Sequence, residues 1–335
     1  MKLIENLSIV HMEDFLVDPF EWDVLISCGS FEERCIRSSE IFLEKKTKIH
    51  DSIIFNYKET DPKKKKEINI QQMRHNLAQL SQNVHVFNTD SVSNPRKGIR
   101  KFLTFLKEKD ICLSNRKIVI DITVFTKAYF FLLFKVLQEK FAVYHFWITY
   151  TEPEKYGGKN PDTGEIILTE GVDRIESIPG FAGSSVNYKD SLIVVLGFEG
   201  KRSTEIFYAV NPKKTYAING FPSYQPGWDN ISIEANLRFL RESRAFDHLH
   251  LAPAIDPFET KKVVAQIAKE IKEKDQNSNL VIAPLGTKMQ ALGVLLYALQ
   301  DETVKVIYPF PSIYKADYSY SFGRSWICKL DLQCI

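Results

Sequence analysis

One hexapeptide is written almost twice in this chain. Residues 37–42 read RSSEIF and residues 202–207 read RSTEIF, differing only at Ser39 and Thr204. Each sits in a longer matching phrase, FEERCIRSSEIF from Phe31 and FEGKRSTEIF from Phe198, and each phrase follows an apolar run. Repetition of this kind constrains the fold more than composition does, because a repeated order of elements imposes one architecture on both halves. Other landmarks keep step. The separation is 167 residues from Phe31 to Phe198, 165 from Ser38 to Ser203, and 163 from Asn56 to Asn219. It is 162 from Pro95 to Pro257 and 161 from Lys127 to Lys288, a drift that needs few insertions. The chain reads as an internal duplication.

In the first half the apolar runs VLIS (24–27), SIIFNY (52–57), VHVFN (84–88), KIVID (117–121) and VYHFWITY (143–150) alternate with helical stretches. The second half repeats the order with LIVVL (192–196), TYAING (215–220), LHLAP (249–253), LVIAP (280–284) and VKVIYPF (304–310). Continuous apolar strands alternating with helices predict parallel sheets covered on both faces and joined by right-handed crossovers. The expected fold is α/β: two tandem Rossmann-like parallel-sheet units, residues 1–150 and 191–335. Residues 151–190 fit neither half. Their turn chemistry around Asn160-Pro161-Asp162-Thr163-Gly164 predicts a β-hairpin-like insertion, acting as linker arm or lid.

Bulk properties narrow the function. With 44 basic and 42 acidic residues the net charge is +2, which makes no strong case for DNA or RNA. The dense basic block KKKK at 63–66 reads as a solvated turn. The five cysteines, Cys28, Cys35, Cys112, Cys328 and Cys334, form no CxxC pair and no zinc spacing, which suits a reducing cytosol. The first residues lack the apolar segment of a signal peptide, and the apolar runs at 130–133 and 293–299 are too short to span a bilayer. A cytoplasmic location with no membrane partner is expected. GxGxxG, GxxxxGK[ST], HExxH and GxSxG are missing, which disfavours a dehydrogenase, a P-loop ATPase or an ordinary serine hydrolase. No cofactor is expected.

Open parallel sheets bind ligands beyond the carboxyl ends of their strands. After the first strand come Cys28, Gly29, Ser30, Glu32 and Arg34 in one half, and Gly197, Glu199, Gly200 and Arg202 in the other. After the fourth come Asp121, Thr123, Thr126 and Lys127, against Gly286, Thr287 and Lys288. Thr-Lys at a helix opening suits an anion, since free backbone N–H groups and the helix dipole attract negative charge while hydroxyl and ammonium add donors. On this reading Lys127 and Lys288 contact phosphates and the glycines permit close approach. Glu32 and Glu199 recognise ribose or base donors, and Arg34 and Arg202 close the site.

Structural uses compete at several positions. Ser30-x-x-Glu33 and Asp256-Pro257-Phe258-Glu259 match capping boxes, and Thr126 and Thr287 suit simple N-caps. Asp121 serves equally as a ribose or metal ligand or as a brace for its loop. His248 and His250 lack a third ligand in sequence, and no metal is expected. Cys28 lies near a helix start, which lowers a thiol's pKa, but has no histidine nearby in sequence. Aromatic segments at 219–228 and 314–326, the latter with Arg324, suit base stacking or loop packing alike.

The phrase DITVFTK at 121–127 resembles the ligand loop of CARF domains, the CRISPR-associated Rossmann folds, and Leu285-Gly286-Thr287-Lys288 resembles a second form of that loop. The duplication is similar to SAVED domains, which look like two such units in one chain. The resemblance implies binding of a cyclic oligoadenylate at these strand ends, in prokaryotic antiviral defence. Two positions depart from it: Val124-Phe125 stands where glycine is usual, and Ala283 stands opposite Asp121. The expected function is binding of a phosphate-bearing signalling nucleotide, cyclic oligonucleotides included, in a cleft between pseudo-symmetric halves, with room for a protein partner or homodimer. One alternative is a nucleotide-processing enzyme (ring nuclease, glycosidase or phosphoribosyl transferase) with one active half, using Asp121, Glu32 or Cys28. The asymmetries Asp121/Ala283 and Cys28/Leu196 favour it. Another is a protein–protein adaptor docking through residues 151–190.

Overall fold

A computed structural model of the chain describes residues 9–15, 20–58, 64–89, 93–157, 166, 169–184, 188–314 and 319–332. The turn expected at 160–164 and Lys63 of the basic block lie outside the described residues. The chain divides into two compact units, Met1–Tyr156 with Ala316–Ile335, and Gly157–Lys315.

The first unit runs β1 (Val10–His11), α1 (Met12–Phe15), β2 (Glu21–Cys28), α2 (Arg37–Glu44), β3 (Lys48–Tyr57), α3 (Lys65–Ala78), β4 (Ser81–Thr89), α4 (Pro95–Glu108), β5 (Ile118–Asp121), α5 (Lys127–Phe141), β6 (His145–Thr151) and β7 (Lys155–Tyr156). The second unit holds β8 (Thr169–Ala182), β9 (Lys189–Val195), α6 (Gly200–Val210), β10 (Lys214–Gly220), α7 (Trp228–Ala235), α8 (Leu237–Glu242) and β11 (Leu249–Ala252). It continues with α9 (Pro257–Lys274), β12 (Ser278–Pro284), α10 (Lys288–Ala298) and β13 (Lys305–Tyr314). The chain then returns to the first unit with β14 (Ser319–Tyr320) and β15 (Ser325–Asp331).

In the first sheet β2 to β6 run parallel in the order β4-β3-β2-β5-β6, and β15 followed by β1 extend it beyond β6, β15 antiparallel to both neighbours. In the second, β9 to β13 run parallel in the order β11-β10-β9-β12-β13, and β8 lies antiparallel beyond β13. Numbered within each unit, both parallel sets read 3-2-1-4-5. This is the Rossmann order, with its switch point between the first and fourth strands. The α/β class expected from the alternating runs is present in both units.

Burial explains why these segments become strands. Leu192, Ile193, Val194 and Val195 of β9 are each 0% exposed, as both faces of a covered parallel strand require. The repeated hexapeptide forms the buried faces of α2 and α6, where Ile41 and Phe42 sit in the first core and Ile206 in the second. Helices α4 and α9 start on local caps. Asn94 accepts from the Lys97 N–H ahead of Pro95 in α4, and Asp256 accepts from the Phe258 and Glu259 N–H groups ahead of Pro257 in α9.

The described residues of 151–190, set apart in the sequence as an arm, are divided among sheets. β6 ends at Thr151, β7 pairs with β14, and β8 supplies the sixth strand of the second sheet. β8 carries polar residues along most of its length and two register irregularities against β13, so it lacks the continuous apolar signature of the interior strands. Among the described residues no helix is long and apolar enough to cross a membrane.

Candidate functional site

In the first unit, the loop after β2 leads into a short 3-10 turn, Glu33–Cys35, before α2 begins. No capping box forms there; the Ser30 hydroxyl instead accepts from the Glu32 N–H at 3.3 Å. Gly29 has a packing cause, since a Cβ would overlap Ile70 of α3. The Arg34 side chain is 1% exposed and grips Glu32 at 2.8–2.9 Å. It also donates to the Thr151 carbonyl at the end of β6 at 3.0 Å. Glu32 additionally accepts from the Ser319 hydroxyl of β14.

Asp121 closes β5. It accepts from the Ser38 hydroxyl of the repeated hexapeptide and, at 2.9 Å, from the Thr123 N–H. Burial pushes its carboxyl above the usual carboxylate range, against hydrogen bonds from Ser38 and Thr123 and the more distant pull of Arg34. Thr123 in turn accepts from the Thr151 N–H at 3.0 Å. Strand ends of β2, β5 and β6 are thus tied into one buried polar network. Glu152 follows directly, fully buried, held by the Trp326 indole N–H at 2.8 Å and by Arg324 at 3.3 Å. Burial raises its pKa as well as that of the Tyr156 phenol. Arg324, the anion contact considered in the aromatic tail, is committed to Glu152.

Cys28 is buried, with its thiol donating to the Gly29 carbonyl at 3.5 Å, and burial pushes the Cys35 thiol up to about 12. Lys66 corrects the reading of the basic block as solvated. It is 5% exposed, donates to the Tyr57 carbonyl, and lies 5.9 Å from the Tyr57 ring centre. Thr126 occupies the N-cap of α5 without capping it, and its hydroxyl is buried with no hydrogen-bond partner among the described residues. Lys127 is the first residue of α5.

The second unit builds the same rim from different groups. Arg202 pairs with Glu199 at 3.2 Å and donates to the Pro309 carbonyl of β13 at 2.9 Å. It also donates to the Thr169 hydroxyl of β8, which itself donates to Glu199 at 2.6 Å. Where Asp121 stands in the first unit, this one has Ala283. Ser203, the counterpart of Ser38, donates to Asn236 at 2.6 Å, and Asn236 donates to the Gly197 carbonyl at 2.7 Å. A Cβ at Gly197 would overlap the Leu285 carbonyl, so the first and fourth strand-end loops touch backbone to backbone. A Cβ at Gly286 would likewise overlap the Gln290 side chain. Thr287 forms a full capping box with Gln290, at 3.1 and 3.2 Å, and Lys288 opens α10. The His248 and His250 rings pack against Tyr216, and burial lowers the pKa of His248. Among the described residues no group of three His, Cys, Asp or Glu is arranged to hold a metal.

One device recurs. In each unit an arginine after the first strand reaches a carbonyl of the fifth, and its partner glutamate accepts a hydroxyl, from β14 of the small β7–β14 pair in the first unit and from β8, paired beyond β13, in the second. Glu32, Arg34, Glu199 and Arg202 are therefore engaged in holding their own sheets. Glu152 was open to the same strand-end rule that singled out Asp121, since it immediately follows the fifth strand. Ser319 and Thr169 carried no local signal, because their partners lie far away in sequence. No protein-family model matches the chain, and no curated protein matches it either.

Proposed function

We propose that the chain binds a phosphate-bearing signalling nucleotide, cyclic oligonucleotides included, at the strand-end rims of its units, as a sensor in prokaryotic antiviral defence. The observation that supports this reading is a doubled geometry. In both 3-2-1-4-5 sheets a Thr-Lys pair opens the helix after the fourth strand, Thr126-Lys127 at α5 and Thr287-Lys288 at α10. Helix N-termini at a switch point supply oriented N–H groups and a positive dipole end, and an ammonium at the first helical residue adds charge. A thermal-shift screen against linear and cyclic nucleotides, NAD, phosphoribosyl pyrophosphate and ATP tests it. A hundredfold excess over Kd adds about 2.7 kcal/mol. The expected stabilisation shrinks in Lys127→Ala and in Lys288→Ala and vanishes in the double variant. No shift in the wild type, or a shift that survives the double variant, refutes the reading.

A second reading, nucleotide processing by the first unit, is favoured by Asp121. It is a buried carboxyl raised above its ordinary range, with alanine in the matching position of the second unit. It predicts breakdown of the stabilising nucleotide, abolished by Asp121→Asn with binding retained.

A further inference from the structure

We propose that the outer edge of β4, in the first unit, takes up an extended acidic segment of a partner protein as an added strand. Among the described residues β4 pairs with β3 alone, so it closes one side of the first sheet. An edge strand presents a row of unpaired N–H and C=O groups, and folded chains blunt such edges with brevity, charge, proline or a bulge. The other edges of the two large sheets are blunted in this way. β1 is two residues long and β11 four. β8 carries Glu170, Asp173, Arg174, Glu176 and Pro179, and has two register irregularities. β4 has none of these features. Its nine residues, SQNVHVFNT, contain no Lys, Arg, Asp, Glu or Pro. Its register with β3 is unbroken from Asp51↔Asn83 to Tyr57↔Thr89, and Gln82, Asn83 and Asn88 are exposed.

Charge decides the occupant. α4 lies over one face of β4, where Phe105 meets the rings of His85 and Phe87 at 6.0 and 5.2 Å between centres. The outward face of that helix is basic. Arg96, Lys97, Arg100, Lys101 and Lys107 are exposed, and Glu108, its last residue, is its only acid. The first turn holds no acid, although the helix dipole favours anions there and Arg96 and Lys97 oppose it. A second copy of the chain is a poor occupant. Two identical edges pair antiparallel about an axis normal to the sheet, which leaves both α4 helices on one face with cations of like sign. An acidic strand meets the same cations with opposite charge and adds backbone hydrogen bonds along β4.

The test follows fluorescence anisotropy of labelled peptides of about nine residues, the length of β4, with the full chain. The probes alternate glutamate with valine, lysine with valine, and glutamate with proline, the last keeping the charge but unable to pair as a strand. The Glu–Val peptide should bind roughly tenfold or more tighter than either control and weaken with added salt. It should also slow amide exchange within residues 81–89. Arg96→Glu combined with Arg100→Glu should weaken that binding roughly tenfold. Failure of the Glu–Val peptide to bind, equal binding of either control, or slowed exchange that avoids residues 81–89 overturns the proposal. So does protection of residues 81–89 that grows with protein concentration alone, which marks a second copy. Tighter binding of single-stranded oligothymidylate, lost in the same double variant, marks a nucleic acid and overturns it too. The peptide comparison on wild type decides the matter even if the variant does not fold.

Discussion

The two strand-end rims have one topology and two kinds of interior. Both carry a Glu–Arg tie that fastens the first strand's loop to the fifth strand. Around it the first unit buries the carboxyls Glu32, Asp121 and Glu152, whereas the second uses neutral groups, Ala283, Asn236 and Gln290. The two units share an architecture while their polar chemistry differs. Apolar strand patterns tolerate substitution among Val, Ile and Leu, but each buried charge needs its own compensating partners.

The sharpest way to break this comparison is to remove each arginine. Arg34→Met leaves Glu32 buried without its cation and should cost about 3–5 kcal/mol. Arg202→Met should cost roughly 1.5–3 kcal/mol, because Glu199 keeps both Thr169 donors and its side chain is 20% exposed. Urea denaturation of the two variants measures the gap, and equal losses would show that the interiors are not different in kind.

Next come the glycines. Gly197→Ala drives a methyl into a backbone carbonyl, while Gly29→Ala meets only the rotatable Ile70 side chain. Overpacking costs about 1–3 kcal/mol, and Gly197→Ala should fall at the upper end with Gly29→Ala at the lower.

Asp121 sharpens the contrast through pH. Its folded pKa is raised, so the native state holds a proton that the unfolded chain has released. The resulting stability is present below the unfolded value, about 3.9, and is lost as pH rises through the raised folded value. Asp121→Asn should gain on wild type across that window and run parallel to it above. A constant difference at every pH would contradict the burial of this charge. The smallest effect concerns the helix caps: Thr287→Ala should lose about 1 kcal/mol with its capping box, and Thr126→Ala nearly nothing, since Thr126 makes no cap bond.

Much of this was legible in the sequence. Interior strands announce themselves because both faces are buried, and helix starts at Lys127 and Lys288 follow from the strand-to-helix switch. β15, which lies between β6 and β1, was missed because SWICKLD mixes polar with apolar residues. β8 runs longer than the short hairpin segments expected there, since its polar residues interrupt any continuous apolar run. The repeat itself misleads at one arginine. Arg37 is the sequence counterpart of Arg202, yet it sits at the edge of its unit near Glu13 and Glu40, and Arg34 takes the buried role. Pairings such as Glu32 with Ser319 depend on chain return, which no local pattern encodes.

The most direct measurement is a calorimetric titration of the stabilising nucleotide into wild type, Lys127→Ala, Lys288→Ala and the double variant. The account predicts weaker binding or reduced stoichiometry in each single variant and no heat of binding in the double. Wild-type affinity in the double variant would contradict the claim that these helix starts hold the phosphates.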